Sequence, residues 1–173
     1  TDGLNFRFAG STGFRAPSIH QIYYNTTSTL FVNGELREVG TFSNDQPIAV
    51  GFGIPNLKQE TSKSFSTGFT YKIPALNLNV TADAYFIRID DRIVLTDQFT
   101  GFANPTTEAQ QLVNAEFTKA GVNAAQFFAN SIDTETRGLD VVISHSLSKD
   151  AFKLTNDFAI NLICLIALSS TDC

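Results

Sequence analysis

Several residue types are scarce in this 173-residue chain, and each shortage excludes a class of protein. Charged residues make up only 17% of the chain, below the roughly 25% of ordinary soluble domains. The net charge of −5 leaves no basic surface of the kind that binds nucleic acid. The longest apolar run, residues 162–168, is far shorter than the ~20 residues that a membrane-spanning helix needs.

Cysteine and histidine are also rare, which argues against disulfide and metal chemistry. Cys164 and Cys173 are close to the end of the chain, and two such cysteines define neither a disulfide framework nor a metal site. His20 and His145 have no cysteine or glutamate at ligand spacing. The adjacent carboxylates of residues 90–91 point to opposite faces of an extended segment, so they cannot flank one substrate bond. We therefore expect no cofactor, no resident metal and no enzymatic activity.

Five stretches of the sequence alternate apolar and polar residues with a period of two. In the first stretch, Leu4, Phe6 and Phe8 share one face. This pattern is typical of strands that have one apolar and one polar face. The stretches exceed the roughly five or six residues of a globular strand and fit the ~9–11 residues of a tilted strand that crosses a bilayer. They cover residues 3–11, 63–73, 76–89, 136–147 and 151–162.

The connections between these stretches differ greatly in length. Short turns are predicted at Pro74 and near Lys149 and Asp150. The other two connections, residues 12–61 and 90–133, are far longer than the roughly 12–15 residues of most loops. Short turns that alternate with long loops are typical of antiparallel up-and-down membrane barrels, in which the long loops lie on the outer side.

One helix is predicted within the second long connection, over residues 106–121. Thr107 is a suitable N-cap, and Gly121 is a suitable end. A partial apolar face consists of Leu112, Ala115 and Phe117. No other helix is predicted.

Four motifs follow one another along the chain. They are "GFRAPS" at residues 13–18, "NLKQETSKSFSTGFTY" at 56–71, "LNLNVTADAYFIRIDDRIVL" at 76–95 and "ANSIDTETRGLDVVIS" at 129–144. In this order they resemble the barrel of TonB-dependent outer-membrane receptors, most closely those of the Bacteroidetes. In the second motif Leu57, Glu60, Ser62 and Gly68 stand at the family's positions, although Gln59 replaces the more usual proline. The resemblance covers about residues 3–161.

The resemblance implies an all-β fold that is part of an antiparallel up-and-down transmembrane barrel. Residues 1–162 would supply about five strands of a barrel that has about 22 in the family. Its location would be the outer membrane of a Gram-negative bacterium, and its partners would be membrane lipid and a small extracellular ligand. The family takes up scarce nutrients such as siderophore-iron, haem, cobalamin or oligosaccharides. TonB would act through a plug domain that is not present in this chain.

The last residues, 163–173, depart from the family pattern. Alternation stops near Ile163, and the chain ends in Cys173 where the family's final strand usually ends in an aromatic residue. We expect an atypical tail, produced by a frameshift or a truncation, with a divergent strand end as the alternative. The sequence has no methionine and no charged-then-apolar leader, so we expect it to be a fragment of a longer protein.

The candidate ligand-contacting residues are Arg15, His20, Tyr23 and Tyr24, which follow the first strand. They would lie at the outer rim, either as part of a ligand vestibule or as a brace whose tyrosines belong to an aromatic girdle at the lipid headgroups. The polar residues Asn77, Thr81, Asp83, Asp140 and Asp157 are expected to line the lumen.

Two other classes of protein fit parts of the pattern. A secreted β-sandwich binding module or adhesin explains the alternation and the lack of catalytic groups, but it explains the sorted loop lengths and the ordered motifs poorly. An all-β glycan-processing enzyme is supported only by scattered carboxylates. Dependence on detergent separates a membrane barrel from a sandwich.

Overall fold

The computed structural model describes residues 3–32, 34–149 and 152–169. The predicted turn residue Asp150 and the end of the predicted tail, residues 170–173, lie outside them. The strands are β1 (Leu4–Arg15), β2 (Thr26–Val32), β3 (Glu35–Phe42), β4 (Glu60–Ile73), β5 (Leu78–Leu95), β6 (Phe99–Thr100), β7 (Ala124–Lys149) and β8 (Phe152–Ser169). The helices are α1 (Ile19–Tyr23), α2 (Pro47–Gly51) and α3 (Glu108–Ala120). None of the helices in the described ranges is long and apolar enough to cross a bilayer.

The chain divides into two compact units. Unit 1 contains the described residues of 1–14, 61–90 and 133–169, and unit 2 contains those of 15–60 and 91–132. All five predicted strands have their counterparts in unit 1, which confirms the all-β prediction.

Unit 1 is a sheet in which β1, β4, β5 and β7 are successive neighbours and β8 pairs with β7. β4 and β5 pair antiparallel from Thr61↔Asp90 to Ile73↔Leu78. The predicted turn at Pro74 joins them as a short 3₁₀ turn that ends at Asn77, whose φ of 46° is left-handed. Asparagine tolerates this conformation better than most residues, which explains its place at the turn.

The two faces of unit 1 differ in polarity, as the alternation predicts. On the apolar face the rings of Phe6 and Phe69 lie 6.4 Å apart, and Phe65 is the direct cross-strand partner of Phe86. On the opposite face the Arg7 guanidinium donates to the carboxylate of Asp83. Both faces are exposed: Phe6 and Phe65 on the apolar face are 65% and 53% exposed, and the side chain of Arg7 on the opposite face is 51% exposed.

Unit 2 has a small core of its own, built where α2 packs against α3. The core residues are Ile48, Ala49, Val113, Phe117, Val122, Ala125 and Phe127. The ring of Phe52 lies 5.1–6.1 Å from the rings of Phe99, Phe102, Phe117 and Phe127. Aromatic clusters of this kind supply much of the apolar burial in small cores.

The strands of unit 2 lie within the segments that the sequence pattern left as long loops. β2 and β3 pair antiparallel, from Thr26↔Thr41 to Val32↔Glu35. β3 then pairs in parallel with the start of β7, from Val39↔Ala124 to Phe42↔Phe127, and β6 pairs with β7 on the same stretch. The interpretation of these connections as long loops with one helix therefore missed β2, β3 and β6.

The predicted helix is confirmed as α3, with Thr107 as N-cap and Gly121 as C-cap at a φ of 65°. Its apolar face was assigned partly wrongly. Val113 and Phe117 are buried, whereas Leu112 is 46% exposed. The face is displaced by one position because the core of unit 2 contacts the helix from the side of Val113.

Candidate functional site

Arg15 and Glu60 form a two-pronged ion pair in unit 2. Arg15 is the last residue of β1, and Glu60 is the first residue of β4. The Arg15 guanidinium donates from Nε to Glu60 Oε2 at 2.7 Å and from Nη2 to Oε1 at 2.5 Å. The backbone N–H of Ile93 donates to the same Oε1 at 2.8 Å. A planar fork that meets a carboxylate in this way is among the strongest polar contacts in proteins.

The environment of this pair fixes its charge state. The hydrogen bonds from Arg15 hold the pKa of Glu60 below its usual value, and the Ile93 N–H and the nearby charge of Arg92 act in the same direction against the effect of burial. The same pair raises the pKa of Arg15. The Glu60 side chain is 9% exposed and that of Arg15 is 59% exposed. Two of the five N–H donors of Arg15 are thus committed to Glu60, while much of the guanidinium faces solvent.

Helix α1 positions the next two predicted residues. Ser18 and Gln21 form a capping box, in which Gln21 N–H donates to Ser18 Oγ at 3.2 Å and Ser18 N–H donates to Gln21 Oε1 at 3.0 Å. Such a box satisfies donors that the first helical turn leaves free. It starts the short helix that presents the exposed side chains of His20 and Tyr23.

Three of the four predicted residues contact different parts of unit 2, and His20 is exposed on α1. Arg15 pairs with Glu60, Tyr23 lines a cleft, and the ring of Tyr24 meets the ring of Phe128 edge-on at 6.4 Å. These placements fit both the vestibule and the brace interpretation, so a role in ligand binding remains a prediction for Arg15, His20, Tyr23 and Tyr24.

A cleft of about 240 Å³ lies beside α1, and we call it the Tyr23 cleft. Its lining residues are Ile22, Tyr23, Asn44, Asp45, Asn56 and Leu57. Asn44 Nδ2 donates to the carbonyl oxygens of Pro55 at 2.6 Å and Phe128 at 3.0 Å, which fixes the amide in the turn after β3. Sequence reasoning missed Asn44 and Asp45. The available signal was the turn-forming run "SNDQP" at residues 43–47.

The adjacent carboxylates of Asp90 and Asp91 have basic partners. Asp90 accepts from Arg88 Nε at 2.6 Å, and Asp91 lies 2.9 Å from Lys58 Nζ. The two adjacent carboxylates thus have different partners. No group of three or more His, Cys, Asp or Glu side chains within the described ranges could hold a metal ion.

A known family model matches most of the chain. Residues 1–163 match the family model described as "TonB dependent receptor-like, beta-barrel". Comparison with curated proteins finds no match. Two similar solved structures show the RagAB peptide importer, in a closed-closed state (13% identity, TM-score 0.48) and in an open-open state (11% identity, TM-score 0.46). Each alignment covers 97% of this chain and only 16% of the matched importer chain.

Proposed function

Since the chain belongs to the TonB-dependent receptor-like β-barrel family, we propose that it forms part of the wall and outer vestibule of a nutrient receptor. The receptor would lie in the outer membrane of a Gram-negative bacterium and act as a transporter rather than as an enzyme. Its nutrient would be scarce: siderophore-iron, haem, cobalamin or an oligosaccharide. TonB would act on it through a plug domain supplied by other parts of the receptor.

This proposal rests on the difference in polarity between the two faces of the sheet in unit 1. Phe6, Phe65 and Phe69 lie on one side of the sheet. On the other side Arg7 Nη1 donates to Thr70 Oγ1 at 3.1 Å, and Thr70 Oγ1 lies 3.3 Å from Thr81 Oγ1. Membrane barrels direct alternate residues to lipid and to a polar lumen. A β-sandwich would instead cover the apolar side with a second sheet, and the described residues of unit 1 provide none.

Unit 2 would provide the outer vestibule. It contains the four predicted contact residues Arg15, His20, Tyr23 and Tyr24, together with the Tyr23 cleft. Its separate aromatic core would hold these groups in place without help from lipid.

The last part of the chain would be an atypical continuation of the barrel wall. β8 continues to Ser169, and Leu162, Ile163, Leu165 and Ile166 are all exposed. Apolar side chains at successive positions of a strand occupy both faces. Residues 163–173 therefore remain our proposed atypical tail, and residues 1–162 our proposed barrel part.

Lipid accessibility of two adjacent residues tests the membrane assignment. The full chain, with both cysteines replaced by serine, is reconstituted into bilayers that contain a spin-labelled lipid. A single cysteine at Phe65→Cys or Ser66→Cys then carries a fluorophore. Because neighbouring residues of a strand face opposite sides, we expect strong quenching at position 65 and weak quenching at position 66.

The matched pair controls for the depth of the label, since the two positions differ by only one residue along β4. Equal quenching at both positions, or recovery of the chain as a soluble monomer without detergent, would contradict the proposal. Near-equal quenching would mean that the two faces of the sheet are in the same environment, whether lipid or water.

A further inference from the structure

The Tyr23 cleft contains two hydrogen-bond acceptors whose capacity the protein does not fill. The carboxylate of Asp45 accepts from Ser43 Oγ at 2.5 Å. Among the described residues, no basic side chain lies within ion-pair distance of it. The side-chain oxygen of Asn44 is buried and has no hydrogen-bond partner within the described part of the chain.

The unpaired oxygen of Asn44 is the more unusual of the two. Asn44 is 6% exposed, and its amide nitrogen is already held by two carbonyl groups. Buried polar atoms almost always have a partner, because an unmet acceptor loses its hydrogen bonds with water. Since Asn44 lines the cleft, its unpaired oxygen indicates a missing donor at this place.

The remaining lining residues of the cleft indicate which chemical group could carry the missing donor. Ile22 and Leu57 are aliphatic, and Tyr23 contributes an aromatic ring. A cation gains electrostatic attraction from the face of such a ring. The lining of the cleft thus combines a carboxylate, two amide side chains and an aromatic ring, and this set favours a positively charged donor over an anion.

We propose that the Tyr23 cleft binds an alkylammonium group of the ligand, an inference that rests on the proposed receptor function. The ammonium has three donors, which suit the carboxylate of Asp45 and the amide oxygens of Asn44 and Asn56. The attached alkyl chain packs against Ile22 and Leu57. Because the Asn44 oxygen is shielded from solvent, Asp45 provides most of the attraction.

Binding of a small amine tests this inference directly. The full chain is held in uncharged maltoside micelles, since a zwitterionic detergent would carry a competing ammonium group. The probe is n-pentylammonium chloride, and the readout is the methyl NMR signals of Ile22 and Leu57. We expect both signals to shift saturably with the amine, much less with 1-pentanol, and not with pentanoate.

Two substitutions give the decisive comparison. Asp45→Asn should weaken amine binding about tenfold or more, because a charge-assisted hydrogen bond is replaced by a neutral one. Asp97→Asn removes another exposed carboxylate of unit 2 that does not line the cleft, and it should leave the affinity unchanged.

The inference is overturned if the amine does not shift these signals, or if both variants bind it as well as the original chain does. Failure here is distinguishable from failure of the receptor assignment. A chain that shows the quenching difference between positions 65 and 66 but ignores the amine remains a receptor piece whose ligand contacts lie elsewhere.

Discussion

Replacing Glu60 by glutamine should loosen the contact between β1, β4 and β5 in unit 2 by about 2 kcal/mol. The neutral amide still accepts from the Ile93 N–H, but a charged acceptor is worth about 1 kcal/mol more than a neutral one. The paired bonds from Arg15 contribute about 1 kcal/mol more, a modest value because the guanidinium is largely exposed and screened. The glutamine NH₂ would also meet the donors of Arg15, which adds to the loss.

Hydrogen exchange of the Ile93 amide measures this loss where it occurs. A change of about 2 kcal/mol corresponds to about a 30-fold fall in the protection of that amide at neutral pH. The matched control is Glu116→Gln, which removes an exposed pair with Lys119 at 3.3 Å and should change protection by less than about twofold. If Glu60→Gln and Glu116→Gln behave alike, the Glu60 carboxylate does not hold these strands and our reasoning is refuted.

The same pair predicts the direction of the pH dependence. The pKa of Glu60 is lower in the folded chain than its usual value of 4.5. The stabilisation is therefore fully present above pH 4.5 and is lost as the pH falls through the lower folded value. The difference in Ile93 protection between the original chain and the Glu60→Gln variant should close in that acidic range and stay constant above it.

Two further predictions concern the core of unit 2, and both are checked by urea unfolding followed through the methyl NMR signals of Val122. Phe127→Ala should destabilise the unit by about 3–5 kcal/mol, because Phe127 is fully buried among aromatic rings. The control is Phe31→Ala, at a 73% exposed position, which should change stability by less than about 0.5 kcal/mol. Gly51→Ala should cost about 1–3 kcal/mol, since its new Cβ would lie 2.4 Å from Val113 Cγ2. Val113→Ala should recover part of that loss in the double variant, and an additive double variant would show that the two residues do not share this space.

The strands of unit 1 could be predicted from the sequence because their signal is local. Each residue from Phe65 to Ile73 faces one of two environments, and the alternation reports that choice directly. Neither the register nor the partners need to be known for this inference. The same argument explains why the turn at Pro74 was found, since proline and the following residues interrupt the pattern within a few positions.

The strands of unit 2 depend on partners that are distant in sequence. The parallel pairing of Val39 with Ala124 joins residues 85 positions apart, and no local pattern encodes it. Two local signals did exist. The dipeptide at residues 33–34, Asn-Gly, is the strongest sequence signal for a two-residue hairpin, and Ser18 with Gln21 fits the capping box. Both signals lie in residues 12–61, and the length of this connection led to its interpretation as a loop.

The ion pair of Arg15 and Glu60 stabilises the fold, whereas the proposed ligand contacts are made by other residues. Both residues belong to motifs that carried the resemblance, and the structure makes them partners 45 positions apart. Their presence in the motifs therefore has a structural reason that does not require a ligand, whereas Asp45 and Asn44 lie outside the motifs and have unfilled acceptors. The two sites should therefore respond differently to substitution. Glu60→Gln should lower the hydrogen-exchange protection of the Ile93 amide and leave the affinity for the amine nearly unchanged. Asp45→Asn should weaken amine binding without lowering the protection of Ile93. If Glu60→Gln abolished amine binding while unit 2 stayed folded, Arg15 would belong to the ligand site after all.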